Sequence, residues 1–154
     1  MMDELIRVLE EELGLYDALT GALEAQRDAL VRLDRRAVEA SALRMEALLW
    51  ELRRISEARA DLVQKSAAGL GRSGQSLRDL AEAAPEPHRQ RIVQLRRDLL
   101  SRIRGMRGLA ALSRTLLDDS LGRIRAFVQV LAGPSPVYAN PRMAPARGLV
   151  DRSA

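Results

Sequence analysis

The strongest constraint on this chain is an apolar repeat of three- and four-residue steps that restarts three times. Leu9, Tyr16, Leu23 and Leu30 recur at every seventh position, and Leu5, Leu19 and Leu33 fill the alternate seam. Such spacing lays apolar side chains along one stripe of an α-helix, whereas a half-buried strand needs alternation at every second residue. The stripe resumes with Val38, Met45, Leu48, Leu52, Ile55 and Leu62, widened by Leu49 and Val63. It returns as Ile92, Leu95, Leu99, Ile103, Met106, Ala110, Leu117, Leu121, Ile124, Val128 and Leu131. Glu12, Gln26, Ser41 and Arg59 interrupt it. Aromatic residues make up only 3% of the chain, too few for an ordinary β-sandwich or barrel.

Breakers divide the stripes. Asp34 is placed to cap a second helix by accepting from the backbone N–H of residue 36 or 37. No glycine or proline lies beside it, so a true break and a mere kink both fit. Gly69, Gly71 and Gly74 end that helix. Ser76 and Asp79 have the spacing of a capping box, and Pro85 and Pro87 stop the short helix it opens. The expected helices therefore cover about 3–33, 35–66, 76–84 and 88–131. The fold class is all-α: an elongated antiparallel helical hairpin or three-helix bundle with coiled-coil-like packing. Gly105, Gly108 and Gly122 lie inside the last helix. They suit either close packing on a neighbour or a pliable segment that reshapes around a partner. Pro134, Pro136, Pro141 and Pro145 mark residues 133–154 as a disordered tail after a helical domain at 1–132.

Several chemistries find no footing. The chain has no cysteine, which removes disulfides, thiolate metal sites and thiol nucleophiles. His88 is the only histidine and reads as a solvated residue near a helix start. The acidic groups Glu10 to Glu12 and Asp118 with Asp119 lack the Glu-x-x-His partners of a di-metal bundle and read as exposed. No Gly-rich phosphate loop is completed by Gly-Lys-Ser/Thr. No enzymatic activity, metal or cofactor is expected. No apolar run approaches the roughly 20 residues that cross a bilayer, and no signal-peptide core is evident, so a cytoplasmic protein without stable membrane insertion is expected.

Charge is unevenly distributed. Residues 1–66 hold 14 acidic and 10 basic side chains, a net of −4, and residues 67–154 hold 7 and 15, a net of +8. The halves can attract one another, or the second can attract an acidic surface. The basic block Arg89, Arg91, Arg96, Arg97, Arg102, Arg104 and Arg107 contains no stacking aromatic and scatters round its helix. That favours a solvated or internally paired face over nucleic-acid binding. Leu116, Leu117, Leu121, Ile124, Phe127, Val128, Val130 and Leu131 form a broad apolar face that suits either an internal core or a partner's amphipathic helix.

Five segments then stand in a telling order: Tyr16-Asp-Ala-Leu19, Ala29-Leu30-Val-Arg-Leu-Asp34, Ile55-Ser-Glu-Ala-Arg59-Ala-Asp-Leu62, Leu116-Leu117-Asp-Asp-Ser120-Leu121 and Val137-Tyr138. Their order, length and spacing, across nearly all the chain, resemble the FlgN family of flagellar export chaperones. The family's asparagines before the double leucine, and the glycine soon after the tail tyrosine, are not present here. The resemblance implies a chaperone for hook-associated proteins, the subunits of the hook–filament junction. It would bind the client's C-terminal amphipathic segment, prevent premature assembly and deliver it to the flagellar type III export gate and ATPase apparatus. It assigns client contact to Leu117, Leu121, Ile124, Val128 and Leu131, and export-gate contact to Tyr138. The alternative reading is a structural coiled-coil or bundle protein that self-associates as a homo-oligomer.

Overall fold

The computed structural model describes residues 1–72 and 76–132. They form four helices in chain order: α1 (Met2–Val31), α2 (Arg35–Gly69), α3 (Leu77–Ala83) and α4 (His88–Ala132). Among the described residues there is no strand, and the fold is all-α. The proline-rich segment at 133–154 and the centre of the glycine-rich connection lie outside the described residues. The chain divides into two compact units, Met1–Leu117 and Asp118 onward, with α4 contributing to both.

The break at Asp34 is real, and this one residue serves both helices. Its backbone N–H donates to the Ala29 carbonyl at 2.9 Å while Leu33 N–H donates to Leu30 O at 3.2 Å, which closes α1. Its side chain then accepts from Ala37 N at 3.1 Å and opens α2. The pair of closing bonds requires a left-handed residue between the helices, and Leu33 supplies it at φ 57°. Leu33 therefore leaves the seam expected of it and is 78% exposed. The end of α2 repeats the motif with a glycine: Gly71 takes φ 68°, Gly71 N–H reaches Ala68 O, and Arg72 N–H reaches Ala67 O. This carries α2 three residues beyond the expected end at Ser66. The capping box of Ser76 and Asp79 is complete, and Pro85 and Pro87 separate α3 from α4.

Within the first unit, α1 and α2 are antiparallel: Leu5 and Leu9 share a core with Leu62 and Val63, and Leu19 shares one with Leu48. The early part of α4 runs parallel to α1, because Asp3, Glu10 and Asp17 meet His88, Arg91 and Arg102 in the same order. The acidic first half and basic second half of the chain thus attract one another here. The main core gathers Leu5, Leu9, Leu62, Val63, Leu80, Ala81, Ala84, Ile92, Leu95 and Leu99. Leu80 of α3 is fully buried, so the short helix plugs this end of the core. A smaller cluster of Leu19, Ala22 and Leu48 collects Met45, Leu52 and Met106 about it.

A polar layer crosses the α1–α2 contact, and it corrects one expectation. Glu12 does not face solvent: it is fully buried, with Oε1 accepting from Ser56 Oγ at 3.1 Å and pairing with Arg59 at 3.1 Å. Its other oxygen, Oε2, has no hydrogen-bond partner among the described residues. Burial pushes the Glu12 carboxyl above its ordinary value, and Arg59 and Ser56 pull it partly back. The Tyr16 hydroxyl is raised too, first by burial and then by the Glu12 charge. Leu49, expected to widen the buried stripe, is 53% exposed, whereas Val63 is buried as expected. His88 is likewise not simply solvated: its ring is half-buried, with Nε2 at 3.0 Å from Asp3 Oδ1.

Candidate functional site

The residues proposed for partner contact lie along α4 at steps of four, three, four and three, a spacing that aligns them on one helical face. Leu117, the last residue of the first unit, is 36% exposed. In the second unit Leu121 is 49% exposed, Ile124 58%, Val128 54% and Leu131 71%. Phe127 and Val130 lie outside that row and are equally open. Every described residue from Leu121 to Ala132 is exposed, so eight apolar side chains of this stretch, Ala126 and Ala132 among them, lie open among the described residues. Tyr138 lies outside the described residues.

The surroundings of this face are polar but sparse. Asp118, Asp119, Arg123 and Arg125 are exposed. A Cβ added at Gly105, Gly108 or Gly122 would meet nothing within 4 Å. Among the described residues no neighbouring helix packs closely on these glycines. Each costs the helix about 1 kcal/mol relative to alanine.

The arginine block resolves into two groups. Arg91 pairs with Glu10 and Arg102 with Asp17, while Arg89 donates to the Ala84 carbonyl at 3.1 Å. Arg96, half-buried, and Arg97, Arg104 and Arg107, exposed, make no ion pair among the described residues. Asp79, fully exposed, is held below the usual carboxylate range by its hydrogen bonds from Ser76, a capping effect. Among the described residues no group of three or more His, Asp or Glu side chains is placed to hold a metal ion.

A second open apolar surface lies on α2, where periodicity gives no sign of it. On α2, Leu43 is 68% exposed, Leu49 53% and Trp50 67%. A shallow depression there is lined by Ala42, Met45, Glu46, Leu49, Trp50 and Arg53. The signal was present in the run Leu48-Leu49-Trp50: three consecutive apolar residues span most of a helical turn, and only Leu48 is turned inward.

What stands out is thus helical surface rather than a cleft of converging polar groups, the character of a protein-binding helical bundle. The family model described as FlgN protein matches residues 1–138. The chain belongs to the FlgN family, a family of flagellar export chaperones rather than of enzymes. No curated protein and no solved structure matches the chain. Among the described residues no helix is long and apolar enough to cross a membrane.

Proposed function

We propose that this chain is a cytoplasmic chaperone of hook-associated proteins, which it holds by their C-terminal amphipathic segment and delivers to the flagellar export gate and its ATPase apparatus. Residues 1–132 form the chaperone domain, and the proline-rich 133–154 segment carries Tyr138 as the gate contact. Leu117, Leu121, Ile124, Val128 and Leu131 are the client-contact residues. One observation carries this reading: the stripe that buries Ile92, Leu95 and Leu99 continues in register along α4 and is left open from Leu121 onward. A client helix destined to pack in a polymer has a sticky apolar face, and covering it keeps the subunit unassembled. The open glycines allow α4 to bend to its guest, and a hold made for release needs only moderate affinity.

Calorimetric titration with the C-terminal segment of a hook-associated protein tests the reading. Leu121→Asp combined with Ile124→Asp is expected to raise Kd at least about 100-fold, as two desolvated carboxylates on an apolar contact would. The circular dichroism spectrum should stay helical. Unchanged capture by the double variant would reject this face.

A further inference from the structure

The outward face of α2 carries apolar and charged side chains with few partners among the described residues. Leu48, Ile55 and Leu62 turn into the core, and the opposite side of the same helix presents Leu43, Glu46, Leu49, Trp50 and Arg53 to solvent. Both charged members are exposed, and Arg53 has only Glu57, an exposed neighbour one turn along at 3.3 Å. Glu46 has no ion-pair partner among the described residues. The signs are antisymmetric about the apolar pair: Glu46 lies three residues before Leu49, and Arg53 three residues after Trp50.

We infer that this face is the contact of a two-fold homodimer in which two copies of α2 cross antiparallel at Leu49 and Trp50. In an isologous contact, residue i of one copy meets residue j of the other, and j meets i. Centring the two-fold axis between Leu49 and Trp50 brings Glu46 of each copy opposite Arg53 of the other. Leu49 of each meets Trp50 of its partner. Both ion pairs then bracket an apolar centre, the arrangement in which a tryptophan contributes most to binding. A parallel pairing would set Glu46 on Glu46 and Arg53 on Arg53, so the charges select the antiparallel one. This surface lies wholly within the first unit and does not depend on the client assignment above.

Sedimentation velocity over roughly 1 to 300 μM, a span reaching the weak affinities of small interfaces, is read beside the emission of Trp50, the only tryptophan. The wild-type chain is expected to dimerise with a blue shift of that emission. Glu46→Arg places two like charges in each pairing, and so does Arg53→Glu. Each variant alone should be at least about tenfold weaker in self-association, with helical circular dichroism retained. Mixed one to one, the two variants restore both pairs and should form a heterodimer at near wild-type strength. A wild-type chain that stays monomeric throughout would overturn the inference. So would a mixture no stronger than its components, or a Trp50 that shifts only when the hook-associated segment is added, which would make the face a client surface.

Discussion

The two stretches of α4 carry the same kind of sequence and meet opposite fates. Ile92, Leu95 and Leu99 are at most 3% exposed, whereas Leu121, Ile124 and Val128 are about half exposed or more, at 49% to 58%. Apolar spacing therefore says that a helix has a sticky side; it does not say who covers it. In the first unit α1, α2 and α3 supply the cover. From Leu121 to Ala132 every residue is exposed. The difference is one of supply, since α1 and α2 both share their cores with the early part of α4.

Truncation should split the two stretches most sharply. Leu95→Ala removes a side chain that is 1% exposed and is expected to cost about 3 kcal/mol, within the range for buried leucines. Val128→Ala, at an open position, should change stability by less than about 0.5 kcal/mol. Urea denaturation of both variants checks this, and a costly Val128→Ala would mean that the second stretch is covered after all.

The polar layer gives the next effect. Arg59→Met leaves Glu12 buried without its counter-charge and should cost about 2 kcal/mol at pH 7. That is below the 3–5 kcal/mol typical of breaking a fully buried pair, because Arg59 is itself partly exposed. A carboxyl whose folded pKa is raised takes up its proton more readily in the native state. Its contribution to stability is therefore greatest below the ordinary value of 4.5 and is lost as pH rises through the folded pKa. The Arg59→Met defect should accordingly shrink as pH falls from 7 toward 5, which denaturation at the two pH values would show. A defect independent of pH would place the loss in packing rather than charge.

The smallest effect concerns the turn. Leu33→Gly relieves a left-handed leucine whose side chain is mostly in solvent, and should stabilise the fold by about 0.5 to 1 kcal/mol. A rise in Tm of a few degrees checks it. A fall would show that the chain loses more in unfolded-state freedom than it gains in relieved strain.

Much of this architecture was legible in the amino-acid order. The three stripes, the Asp34 cap and the Ser76–Asp79 box all follow from spacing and side-chain chemistry. The fates of particular residues were not. Glu12 reads as exposed because a carboxylate closing a run of three glutamates ordinarily is; only the approach of Ser56 and Arg59, more than forty residues away, makes its burial tolerable. Leu33 fits a seam by spacing, and nothing local announces that a leucine will take the conformation usually given to glycine. Trp50 is invisible to a periodic count, which rewards inward residues and is silent about the opposite side of the helix.

The Glu12–Ser56–Arg59 layer bears on a hazard peculiar to long paired helices. Leucines repeating every seventh position look nearly the same after a slip of one heptad, about 10 Å along the axis. A slipped hairpin would still satisfy most of its apolar contacts, but it would drag Glu12 among aliphatic side chains and strand Arg59 a full heptad away. One acid, one hydroxyl and one guanidinium thus act as an index mark, singling out one alignment of α1 on α2 from neighbours that grease alone would scarcely distinguish.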